Sequence, residues 1–135
     1  MRTIKFKGTC ITPEREGETV YGSLLALPDE KVRILEPCSG SVFNFCIVDP
    51  DTVCQFTGFT DMNGTEIYEG DVLRVGSILC IVEWVKNSGC FSLKEENGEF
   101  IKLPGLKDFG YTLDNYACIV EGSIHDPKWK NKLDI

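Results

Sequence analysis

The sequence is poor in the residues that most catalytic sites need. It holds one histidine, His125, in 135 residues. A Ser-His-Asp or Cys-His arrangement would have to use it. It stands beside Asp126-Pro127, a setting that reads as a surface turn. No apolar run approaches the ~18 residues that a membrane helix requires. The longest candidate, Val20 to Leu27, is interrupted by Gly22 and Ser23 and followed by Pro28. Met1 to Lys7 alternates in polarity as no secretion signal does. The reading is therefore a cytoplasmic chain with no membrane contact. No phosphate-binding loop, dinucleotide fingerprint, nucleophile elbow or His-Glu-x-x-His is present. Gly64 to Gly70 is one residue longer than a phosphate loop, and Asp71-Val72 stands where Lys-Ser or Lys-Thr is needed, with a charge that would repel phosphate.

Positive charge is also scarce. Fourteen Lys and Arg face twenty-one Asp and Glu, for a net charge of −7, which argues against unspecific binding to nucleic acid. The cations gather at the ends, as Arg2, Lys5, Lys7 and Arg15, and as Lys128, Lys130 and Lys132. Two such ends would make a basic patch only if folding joined them. A solvated face is the simpler reading of each.

What is abundant is cysteine and short-period apolar sequence. The seven cysteines are Cys10, Cys38, Cys46, Cys54, Cys80, Cys90 and Cys118. Their number is odd, no Cys-x-x-Cys occurs, and most have apolar neighbours. They read as reduced, buried small hydrophobes rather than metal ligands or a disulfide framework. The length suits one domain with a core of its own. The period of the pattern is two. Strands are expected at Thr3–Lys7, Thr19–Leu27 with a bulge at Gly22, Val32–Leu35 and Val42–Val48. Two extended pieces flank Asn63-Gly64, whose residues tolerate the positive φ of a tight hairpin. Further strands are Val72–Val75, Ile78–Val85, Phe91–Lys94, Phe100–Leu103 and Tyr116–Ile124. The Asn97-Gly98 turn joins the pair before a loop at Pro104–Asp114. Asp126-Pro127 can open a short helical turn. Nine or ten short strands predict a mainly β fold, all-β or α+β with minimal helix, as a short-stranded barrel or sandwich with an SH3-like C-terminal half. Within one domain over 1–135, two β lobes are expected: a meander at 1–60, and a small barrel with its tail at 61–135.

The most specific stretch is Gln55-Phe56-Thr57-Gly58, then Asp61, Asn63-Gly64, and Glu66-Ile67-Tyr68-Glu69-Gly70-Asp71-Val72. It resembles the central signature of the YopX family of phage and prophage proteins. Ile4-Lys5-Phe6-Lys7, Val20-Tyr21-Gly22, Ile81-Val82-Glu83-Trp84 and Val120 to Pro127 resemble its flanking elements, so the likeness spans nearly the whole chain. Gly8-Thr9-Cys10 and Glu121 depart from the family pattern. The resemblance implies a small, mainly β protein of phages and integrated elements, with a cytoplasmic location in a bacterial host. It supplies no catalytic, cofactor or metal residues.

The residues themselves point the same way. Asp61, Asn63, Glu66, Glu69 and Asp71 are acidic enough to suggest calcium, but Glu66 and Val72 occupy the sixth and twelfth positions, where an EF-hand loop needs Gly and Glu. Asp61 and Asp71 read better as side chains that accept turn amides. Nothing in the sequence joins Glu83 to Glu99. Trp84, Trp129, Tyr68, Tyr111 and Tyr116 lack the basic setting of a base-stacking groove and read as core or interface. We expect a non-enzymatic interaction or self-assembly module, a homo-oligomer or a binder of a phage or host protein. The alternative is a nucleic-acid-binding β-barrel acting in mobile-element DNA metabolism. No cofactor and no metal are expected. The signature residues Gln55, Thr57, Gly58, Asp61, Asn63, Gly64, Ile67, Tyr68, Glu69, Gly70 and Asp71 are expected to be structural.

Overall fold

Period-two segments become antiparallel sheet in the computed structural model, which describes residues 2–29, 31–37, 43–95 and 109–133. The strands are β1 (Phe6–Thr9), β2 (Thr19–Ala26), β3 (Val32–Pro37), β4 (Phe43–Val48), β5 (Cys54–Thr60), β6 (Glu66–Tyr68), β7 (Asp71–Val75), β8 (Ile78–Val85), β9 (Cys90–Glu95) and β10 (Cys118–Ser123). Two short α-helices, α1 (Phe109–Asn115) and α2 (Pro127–Leu133), accompany them. The fold is mainly β, as expected, with two antiparallel sheets and no closed barrel among the described residues. The chain divides into two compact units, Met1–Phe56 and Thr57–Ile135. The expected Asn97-Gly98 hairpin, the strand 100–103, Glu99 and Cys38 lie outside the described residues.

In the first unit the hydrogen-bonded order is β4-β3-β2-β1, with Cys54 and Gln55 of β5 paired beyond β1. Strand β2 changes partner midway. Thr19–Gly22 pair with β1, and Ser23–Ala26 pair with β3. Gly22 stands at the change. A Cβ there would sit 1.8 Å from the Leu35 carbonyl oxygen, so the position excludes every side chain. The glycine thus serves a close backbone approach, where the sequence suggested a bulge. Alternate residues of these strands point inward and bury Cys10, Val20, Ile34, Cys46 and Val48. The first strand begins later than its alternation predicts, at Phe6, and Ile4 is exposed. Its far end reaches β4 through the Cys10–Val48 bridge, with the Ile11 amide donating to the Ile47 carbonyl at 2.9 Å.

In the second unit the order is β10-β7-β8-β9. Its core comprises Ile67, Leu73, Val75, Cys80, Val82, Leu93, Phe109 and Cys118. Full burial of a side chain such as Leu73 or Leu93 contributes roughly 1.5–3 kcal/mol. The Pro104–Asp114 loop reading is corrected from Phe109 onward, where α1 forms. Phe109, Thr112 and Leu113 follow helical i, i+3, i+4 spacing and face inward, the first two buried and the third partly so. Gly110, Thr112, Asp114 and Asn115 are poor helix formers, which hid this helix of about two turns. Phe109 and Leu113 pack into the apolar core of this sheet, and among the described residues β9 and β10 lie at its opposite edges. The helical turn expected at Pro127 is present as α2. The Asp126 carboxylate accepts from the Lys128 amide at 3.0 Å, capping the helix start.

Candidate functional site

The signature residues from Thr57 onward lie in the second unit, in the path from the end of β5 through β6 to β7. Gln55 lies apart, half-buried and opposite Phe6 in the first unit. The turn after β5 is built around the Asp61 carboxylate. One oxygen accepts from the Asn63 amide at 2.8 Å and the Thr65 amide at 2.9 Å. The other accepts from the Val120 amide of β10 at 2.9 Å. The Asp61 amide donates to the Thr65 carbonyl at 2.8 Å, closing the reversal, and Gly64 takes φ 82° within it. Burial alone would raise the Asp61 pKa, but the amides of Val120, Thr65 and Asn63 outweigh it and hold the carboxyl below its ordinary range. Sequence reasoning placed Asp61 in its own turn and missed Val120, because a bond across 59 residues leaves no local pattern.

The remaining signature positions extend the same pattern. Thr57 is buried, and its hydroxyl donates to the Ile67 carbonyl at 2.7 Å and accepts from the Phe59 amide at 3.2 Å. Gly58 follows with φ 90°. Ile67 and Tyr68 enter the interior, and the Tyr68 hydroxyl donates to the half-buried Glu66 at 3.2 Å. Asp71 is fully buried and accepts from the Tyr68 amide at 2.8 Å. Of the turn amides expected to serve it from the Glu69-Gly70 segment, one is engaged elsewhere. The Gly70 amide donates to the Val82 carbonyl at 2.8 Å, while its own carbonyl accepts from the Ile124 amide at 2.9 Å. Glu69 is half-buried beside it. Structure brings Thr57, Asp61, Asn63, Gly64, Ile67, Tyr68, Gly70 and Asp71 together as a brace that ties the β5–β7 path to β8 and β10. The oxygens of Asp61 are filled by backbone amides, so its charge is spent on the fold rather than held out to a ligand.

Other candidates resolve in the same manner. His125 lies in the turn between β10 and α2, its amide donating to the Ser123 hydroxyl at 3.2 Å. Glu83 pairs with Lys94 at 3.5 Å. Glu121, a departure from the family pattern, is skipped by the β7–β10 register and reaches Arg74 at 2.9 Å. Trp84 is 46% exposed and packs edge-on against Phe91, with centroids 5.0 Å apart. Phe91 leads to Phe109, and Phe109 to Phe59 at 5.3 Å. Trp129 is buried against Gly122, under the ammonium groups of Lys128 and Lys132. Arg15 pairs with Glu18 at 2.8 Å and with Glu36. Several end-region cations are thus engaged within the chain: Arg15 by carboxylates, Lys128 and Lys132 by an aromatic ring.

A family model described as YopX protein matches residues 13–126. Among solved structures, that of protein EF1440 from Enterococcus faecalis is similar at 21% identity. The match covers 98% of this chain and 99% of that one, with a TM-score of 0.52. At that identity the likeness is one of fold. No curated protein matches the chain.

Proposed function

Because the chain belongs to the YopX family, we propose that it is a non-enzymatic interaction module of a phage or prophage, acting in the bacterial cytoplasm by associating with protein, and first with a second copy of itself. One observation carries this reading: the outer face of β2, β3 and β4 in the first unit. Apart from Ser23 and Arg33, the residues on these strands that alternate with the buried core from Tyr21 onward are themselves apolar. Tyr21, Leu25 and Phe45 are 48%, 38% and 61% exposed. Leu35 lies directly opposite Phe45, with Ser23 on its other side, and Leu25 and Ile47 flank Arg33. The charge on this face, Arg33, is paired with Asp29 at 2.8 Å. A one-layer sheet that is apolar on both faces departs from the apolar-in, polar-out alternation of a solvated sheet, and contiguous exposed apolar surface marks interaction sites. Two copies meeting about a two-fold axis would cover the same patch on each.

Light scattering of the full chain over a concentration series tests this. The expected result is a dimer or larger species that Phe45→Glu converts to monomer while circular dichroism stays unchanged. A parent chain that is monomeric throughout, with Phe45→Glu indistinguishable from it, overturns the reading.

A further inference from the structure

The first unit buries two thiols side by side. Cys10 follows β1 and is bridged to Val48 of β4. Cys46 lies two residues before Val48 on the same inward face, diagonal to Cys10 across the paired strands. Both belong to one buried cluster, 0% and 3% exposed, and Cys10 acts electrostatically on the Cys46 thiol. The titratable groups facing Cys46 come from three directions: Cys10, Arg15 and Glu36. The Arg15 guanidinium donates to the Cys46 sulfur at 3.0 Å, and that sulfur lies 3.6 Å from Glu36. The other buried thiols have different surroundings. Cys54 donates to the Thr52 carbonyl and Cys118 to the Thr112 carbonyl, while Cys80 sits in the apolar core of the second unit.

We propose that Cys10 and Cys46 are a redox pair, oxidised by a small hydroperoxide to a disulfide that ties the end of β1 to β4. The order of events follows from the placement of Arg15. The Cys46 thiolate, beside the guanidinium, attacks one peroxide oxygen. The O–O bond breaks, and hydroxide leaves to take up the proton that Cys46 gave. Cys46 is then a sulfenic acid. The Cys10 sulfur attacks the Cys46 sulfur, the S–O bond breaks, and water departs with the Cys10 proton. Two thiols lose two electrons, and one peroxide becomes two molecules of water (for hydrogen peroxide). Burial restricts the reaction to a small oxidant. It also pushes the Cys46 thiol up to about 11, with Cys10 adding to the rise and Arg15 opposing it. The pair therefore rests as a dithiol at neutral pH and reacts slowly there.

The test uses the full chain with Cys90→Ser, which removes an exposed thiol. The protein is treated with hydrogen peroxide, quenched, denatured, alkylated and mapped without reduction. The expected product is a dithiothreitol-labile peptide joining Cys10 to Cys46, absent from Cys46→Ser. Its rate of formation should rise roughly tenfold per pH unit from neutral pH to about 10, following the thiolate fraction. Arg15→Gln should slow the linkage severalfold, whereas mere loosening of the fold would speed it. The proposal is overturned if Cys10 and Cys46 are both recovered as alkylated thiols. It is equally overturned if Cys46 is over-oxidised while Cys10 remains free, if either cysteine is linked elsewhere, or if the rate ignores pH.

Discussion

The Asp61 carboxylate accepts a hydrogen bond from the Val120 amide at 2.9 Å, joining the signature turn to the strand β10. The geometry distinguishes a charged acceptor from its neutral isostere. In Asp61→Asn, one amide oxygen can still serve Asn63 and Thr65, but the side-chain NH2 would then face the Val120 N–H, donor against donor. The variant should lose about 1–3 kcal/mol, the cost of an unsatisfied buried amide, as measured by urea denaturation. Wild-type stability at this variant would exclude the brace.

Acid should act through the same group. The folded pKa of Asp61 lies below its ordinary value, so the unfolded chain binds the proton more readily. The stabilisation is complete above the unfolded pKa of about 3.9 and is lost as pH falls through the lower folded value. Denaturation midpoints measured across that acid range should fall less steeply with acid for Asp61→Asn than for the parent. Parallel curves would remove Asp61 from the acid response.

Thr57 offers a test by shape. Valine matches threonine closely in size but cannot donate to the Ile67 carbonyl, which now lies 2.7 Å from the hydroxyl. Thr57→Val should cost roughly 1–3 kcal/mol, and Thr57→Ser, which keeps the donor, less. A valine variant as stable as the parent would show the hydroxyl to be idle.

Gly122 and Trp129 are expected to behave as a coupled pair. A Cβ at Gly122 would stand 2.2 Å from the indole nitrogen of Trp129. Gly122→Ala should therefore cost about 1–3 kcal/mol through overpacking. In a Trp129→Leu background the same change should cost much less, giving a double-mutant coupling of about 1 kcal/mol or more. Strict additivity would mean that α2 moves aside freely.

The exposed Trp84 and the core of the same unit should separate cleanly. Leu93→Ala empties a fully buried position and should cost about 2–5 kcal/mol. Trp84→Ala, at a side chain 46% exposed, should cost clearly less in thermal unfolding. Equal losses would indicate that Trp84 carries the core.

What could be read in advance follows the range of each interaction. Short runs rich in β-branched, aromatic and other apolar residues, bounded by turn residues, announced β2, β4, β7 and β8. Asn63-Gly64 announced its reversal through local φ tolerance, and Asp126-Pro127 announced α2. The helix α1 was invisible because its inward face is only Phe109, Thr112 and Leu113, too short a run to outweigh Gly110 and Asn115. The role of Asp61 was half legible: its bonds to Asn63 and Thr65 are local, while Val120 is not. Cys10 and Cys46 looked like two more buried cysteines, since nothing within ten residues of either names the other. Gly22 showed itself as a special position, but only the carbonyl of Leu35 reveals which constraint it meets.

The peptide unit of Gly70 engages two distant segments at once, Val82 through its N–H and Ile124 through its C=O. During synthesis the first partner emerges soon after the glycine, and the second only some fifty residues later. Assembly of the second unit therefore waits on its final strand, which raises the share of long-range closure and slows the folding step. Amide exchange at Asn63, Gly70 and Val120 should then become protected together, in one late event on refolding, rather than spreading outward from the Asn63-Gly64 turn.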